Sequence, residues 1–243
     1  MKSRQHAARV AGVLYLLLIV TAAFSLTYIP SAFIVPGDAA ATAQKIVSSQ
    51  MLYRIGIVID LAANIIFVFL VVALYELLKD VNKRHAVLML ALALVQVPMA
   101  FGMMLFQSAP LILLSGADYL SVFDKPQLEA LAMGFLRLRD QGIQAVMALW
   151  GLWLLPFGLL VFRSGFIPRI IGVLLIVTCF AYLAVSLTYL LFPAYGLIAN
   201  QLMTLPFAAG VLSIMLWLLI KGARPEPSED QPSESGNRVA VDV

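Results

Sequence analysis

The stretch IGIVIDLAANIIFVFLVVALYELL, residues 55–78, decides the fold. Its only acids are Asp60 and Glu76, and it contains no basic residue. A run of this length crosses a hydrocarbon layer of about 30 Å as a helix. In lipid every backbone N–H and C=O must be paired within the segment, which leaves the helix as the only conformation for so long a run. Transmembrane strands are shorter and alternate polar with apolar residues. No such alternation occurs here.

Five further runs share this character: Val10–Ile29, Ala86–Leu114, Ile143–Phe162, Ile170–Leu191 and Leu202–Ile220. Of the 243 residues, 62% are hydrophobic and 12% charged, about half the charge of a soluble domain. The mean hydropathy is +0.97. The chain is therefore expected to be an all-α, polytopic integral membrane protein with six transmembrane helices, and the lipid bilayer is its first partner. Residues 1–9 read as a short cytoplasmic arm, 10–220 as the membrane domain and 221–243 as a disordered cytoplasmic tail. That tail, with Pro225, Glu226, Pro227, Ser228, Glu229, Asp230 and Pro232, has too little apolar surface to fold. The third run is too long for one straight crossing, and is predicted to tilt or to end near Phe106. Pro98, Pro156 and Pro206 lie inside spans, where each removes a helix hydrogen bond and permits a kink.

Orientation follows from the basic residues between spans. Eleven Lys and Arg fall on one side, in the N-terminal arm, the 79–85 and 163–169 links and the tail. Five fall on the other: Lys45, Arg54, Lys125, Arg137 and Arg139. Basic residues favour the cytoplasm. The expected location is the cytoplasmic (inner) membrane, multi-pass, with both termini inside and two long loops outside. The net charge of +3 and pI near 9.1 then express topology. Nucleic-acid binding is not expected, because clustered Lys and Arg interleaved with aromatics are lacking. The first run follows Lys2, Arg4 and Arg9 as a signal peptide's would, but its length and the lack of an A-x-A site favour a retained span.

In the first outer loop, Pro36-Gly37-Asp38 is a turn signal. Residues 39–51 form a helix-compatible pattern that Asp38 is placed to cap. In the second, Asp124-Lys125-Pro126-Gln127 resembles a capping box. Leu128, Leu131, Phe135 and Leu138 follow at helical spacing. This reads as a short amphipathic helix in the second outer loop, lying on the membrane or capping the bundle.

Asp60 is the residue to single out. A carboxylate inside a span costs a few kcal/mol or more when ionised, so it must be protonated, paired or near water. Gly56, Asp60 and Asn64 share a stripe at i, i+4 spacing. Gln96, in the third run, is a candidate partner across a helix seam. Asp60, Asn64 and Gln96 form the candidate polar site, either proton- or cation-responsive or an interhelical hydrogen bond worth about 1 kcal/mol. Arg54 is the candidate outer-face charge, expected to snorkel to the head groups. Cys179, the single cysteine, reads as a buried thiol. No catalytic motif and no metal-ligand spacing is present; no enzyme activity, cofactor or metal is expected.

Several segments carry a resemblance. They are Ala8-Arg9-Val10-Ala11-Gly12 with Leu14-Tyr15, Val35-Pro36-Gly37-Asp38-Ala39, Arg54-Ile55-Gly56 with Asp60, Leu114-Ser115-Gly116-Ala117-Asp118-Tyr119-Leu120, and Ser164-Gly165-Phe166-Ile167-Pro168-Arg169 with Gly172. Together they resemble an uncharacterised bacterial six-span membrane family, domain of unknown function 4386. The resemblance implies a helical membrane protein and supplies no activity. It also implies an acid in the fifth span before Ser186, where this chain has Ala184-Val185; a two-carboxylate relay with Asp60 is not expected. The function classes left are a small permease or proton/ion-coupled membrane protein, or a membrane sensor, stress-response or scaffold protein without transport. The ligand and oligomeric state are not specified by the sequence.

Overall fold

The computed structural model describes residues 2–223. The expected tail from residue 224 onward lies outside the described residues. Six apolar helices are each long enough to cross a membrane: Arg4–Phe33, Gln50–Leu78, Lys83–Leu113, Lys125–Arg163, Arg169–Leu191 and Pro193–Lys221. No strand occurs among the described residues. The chain is thus an all-α multi-pass membrane protein, and the spans are numbered one to six in chain order.

Two spans are broken where proline requires it. The third divides at Val95 into Lys83–Leu94 and Gln96–Leu113. The fourth divides at Trp153 into Lys125–Leu152 and Leu154–Arg163. Each break lies three residues before a proline, Pro98 or Pro156. A proline cannot donate to the carbonyl four residues back, and its ring crowds that carbonyl, so the helix yields there. The overlong third run is accommodated by this break. Near Pro30 and Pro206 the helix widens instead, into π-helical turns at Phe24–Tyr28 and Ala208–Leu212, whereas Pro110 sits within the continuous helix Gln96–Leu113.

The expected amphipathic helix of the second outer loop is helical but not separate. Lys125–Leu152 is one continuous helix, so the amphipathic stretch forms the first turns of the fourth span. No proline lies between Leu138 and Ile143, and Arg139 there finds its partners Gln107 and Asp140 within the structure. Its start carries the expected capping box, with the Asp124 N–H donating to Gln127 Oε1 at 2.9 Å. The helix Ala39–Ser48, capped by Asp38 accepting from the Ala41 N–H at 2.8 Å, packs against this extension.

The spans form a ring in which each packs on the next, and the sixth returns to the first. At the end holding the tight 79–82 and 164–168 turns, Arg4 joins the chain start to both. Its guanidinium lies 4.0 Å from the Asp80 carboxylate and 5.4 Å from the Phe166 ring centre. The first span meets the sixth near this end, through Ser213–Leu216 and Trp217–Lys221. Gly12 makes that contact possible: a Cβ there would stand 2.6 Å from the Leu219 backbone nitrogen. Toward the opposite, loop-bearing end, residues Gly196–Phe207 pack on the fifth span.

The core gathers the inner faces of the ring around Leu70, Leu74, Phe157, Leu160, Leu175 and Ile214, all buried. The fourth and fifth spans cross closely at Gly158 and Gly172, and again where Gly151 meets Cys179 and Tyr182. Cys179 is fully buried in the fifth span.

Candidate functional site

Helix begins at Gln50, five residues before the apolar run, so Asp60 sits roughly 15 Å along the second span. Its Oδ1 accepts a hydrogen bond from Ser25 Oγ at 3.3 Å. Ser25 is fully buried on the widened turn of the first span. One turn away, Gly56 lets Ile29 of the first span lie close: a Cβ at Gly56 would stand 2.8 Å from that side chain. The Gly56–Asp60–Asn64 stripe therefore lies along the first span. Asn64 donates from Nδ2 to the Asp60 backbone carbonyl at 2.9 Å, which spends that donor within its own helix.

Gln96 does not bond to Asp60 among the described contacts. It is buried at the Val95 break and donates from Nε2 to the Leu92 and Leu149 carbonyls, at 3.0 and 3.1 Å. The side chain thus ties the bend of the third span to that of the fourth. Replacing it, as Gln96→Leu, leaves the Leu149 carbonyl without this donor. The expected loss is about 1 kcal/mol, the scale of an interhelical hydrogen bond in lipid, read as a lowered unfolding midpoint in detergent.

Arg54 is exposed near the start of the second span and does not line the cavity described below. No ion pair joins it to Asp38 or Asp118 among the described residues.

Sequence reasoning missed Arg139. Assigned to an outer loop, it is only 4% exposed within the fourth span. Its Nε donates to Gln107 Oε1 at 3.1 Å, and its Nη1 lies 3.6 Å from Asp140 Oδ1. Gln107, 2% exposed, is a hub: its backbone carbonyl also accepts from Tyr53 Oη at 2.7 Å. The second, third and fourth spans are thereby fastened by one buried polar network. Arg139 also lines the same cavity as Asp60. A signal for it existed. Glu129, Ala132, Leu136, Arg139 and Val146 are all buried, and their spacing of 3, 4, 3 and 7 residues marks one helix face.

These groups converge on a cavity of about 380 Å³ inside the ring. All six spans contribute to its wall. Ser25, Asp60, Asn64, Gln96 and Arg139 provide polar groups, and the rest is mostly apolar or aromatic. Trp150 and Trp153 of the fourth span, Phe67 of the second, Tyr182 of the fifth and Phe207 of the sixth line its wall. Their rings meet edge to face: Phe67 with Trp153 at 5.7 Å, Trp150 with Tyr182 at 6.5 Å, and Tyr182 with Phe207 at 6.2 Å. A cavity of a few hundred Å³ with few polar groups in an apolar wall is the usual form of a small-molecule site.

The sequence pattern of one family, described as domain of unknown function (DUF4386), matches residues 10–222. No curated protein and no solved structure matches the chain.

Proposed function

The chain belongs to the family described as domain of unknown function (DUF4386), whose description names no activity, and from its geometry we propose a small permease that links ligand binding to protonation of Asp60. The observation that supports this reading is an acid and a buried guanidinium sharing one cavity within the spans. A charge held inside a membrane helix is costly and faces a bundle interior or water-filled space. Here the carboxylate lines a cavity large enough for a small molecule. A ligand that prefers one protonation state of Asp60 shifts its proton affinity by the same factor that the proton shifts ligand affinity. That reciprocity is the elementary basis of coupled transport.

The proposed location is the cytoplasmic membrane, with both termini inside. Arg9, Lys79, Lys83, Arg84, Arg163, Arg169 and Lys221 all belong to the tight-turn end of the ring, which supports placing that end in the cytoplasm.

Proteoliposomes holding the full chain and a trapped pH dye test the coupling. Small amphiphiles with cationic, anionic and neutral head groups are added outside in turn. At least one is expected to drive a proton signal that Asp60→Asn abolishes, while the variant keeps its unfolding midpoint within a few degrees. An equal proton signal from wild type and Asp60→Asn would remove the reading.

A further inference from the structure

The residues around the cavity also specify the charge of its occupant. Of the groups that can carry charge, Asp60 and Arg139 line it directly. Arg139 is already engaged, by Gln107 through Nε and by Asp140 through Nη1. Asp140 thus offsets the guanidinium from behind. The other titratable lining groups are the Tyr15 phenol of the first span and the Tyr182 phenol of the fifth, neutral in their ordinary state. Two carboxylates therefore face one guanidinium, and the uncompensated charge is the Asp60 carboxylate. Its one side-chain hydrogen bond among the described residues is the 3.3 Å contact from Ser25, made to Oδ1. Oδ2 receives no described donor.

The same cavity is walled by Trp150, Trp153 and Tyr182, with Phe67 and Phe207 in edge-to-face contact with them. Aromatic faces attract cations, and more strongly when water is excluded. The flanks are apolar as well. Leu18, Ile19 and Leu26 of the first span border the cavity, as do Phe207 and Val211 of the sixth. Those two spans meet toward the tight-turn end, through Ser213–Lys221. The cavity lies in the notch beyond that contact.

We propose that the occupant is a lipophilic monocation, an amine or quaternary ammonium on an apolar body, with its charge against Asp60 and its body against the aromatic wall. This rests on the permease reading and names its substrate class. Protons and the cation then compete for one carboxylate, so uptake of one releases the other. No covalent step is involved.

A matched series tests it: octyltrimethylammonium, octanoate and octanol titrated onto the full chain in lipid nanodiscs, followed by fluorescence of the cavity tryptophans and by equilibrium dialysis. Octyltrimethylammonium should bind saturably and bind more weakly at pH 5 than at pH 8. Asp60→Asn should lose about tenfold or more in affinity, the scale for removing one partner of a desolvated charge pair, together with the pH dependence. Trp150→Leu should weaken binding several-fold and keep the pH dependence. Tighter saturable binding of octanoate or octanol would overturn the cation assignment while leaving the permease reading intact. Failure of all three to saturate would overturn both. The pH competition in wild type alone decides the matter if Asp60→Asn does not fold.

Discussion

Replacing Arg139 by methionine lowers the stability of the bundle by roughly 3–5 kcal/mol, the scale for breaking a buried ionic network by removing one partner. The reasoning is local. Arg139 is buried, it donates to Gln107, it pairs with Asp140, and it lines the same cavity as Asp60. Methionine fills much of the same volume, so packing alone predicts a small change. What remains is a buried Gln107 oxygen without its donor and two acids without their cation. The test is a double-mutant comparison of unfolding midpoints in detergent. Arg139→Met should be strongly destabilised, and adding Asp60→Asn should restore a substantial part of the loss, because the second change removes one orphaned charge. If the two changes simply add, Asp60 and Arg139 are not coupled, and the shared polar site dissolves into two separate ones.

The second large effect concerns the crossing of the fourth and fifth spans. A Cβ at Gly158 would lie 2.8 Å from the Gly172 carbonyl oxygen, and one at Gly172 would lie 2.7 Å from the Gly158 carbonyl oxygen. These obstacles are backbone, which cannot rotate aside as a side chain does. Small residues let membrane helices approach closely enough for dispersion to hold them. Gly158→Leu is therefore expected to cost about 3 kcal/mol, the upper part of the overpacking range. Gly102 and Gly134 have nothing within 4 Å of a built Cβ, and leucine there should change the stability by less than about 1 kcal/mol. Comparable midpoints for Gly158→Leu and Gly134→Leu would mean that the two backbones do not meet as described.

Length and apolarity made the spans legible, because hydrocarbon leaves the backbone no alternative to the helix. Caps were legible for a similar reason. Asp38 and the Asp124–Gln127 pair act on backbone groups within a few residues, so no knowledge of the fold is needed. The same holds for Pro98 and Pro156, whose consequences fall one turn upstream. Asp60 stood out as an acid in an apolar run. Its partner did not, because an interhelical register is set by packing that no local pattern records. Gln96 shares the cavity with Asp60 but serves the Leu149 carbonyl, while Ser25 supplies the hydrogen bond. Arg139 was hidden for a different reason. Arg137, Arg139, Asp140 and Gln141 end the apolar run, and hydropathy alone then reads a loop. The spacing of buried positions along the helix contains the answer, but only once the helix is known to continue through them. Gln107 was overlooked likewise, as the second amide of the third run after Gln96.

Cys179 has a practical implication. The only sulfhydryl in the chain is 0% exposed within the fifth span, so maleimide reagents meet almost no native background. Cysteines placed singly, at Asp38 in one connecting segment or Lys83 in another, can report sidedness in whole cells on the otherwise unaltered polypeptide. The molecule comes ready for site-directed labelling, with no need to strip out its own thiol.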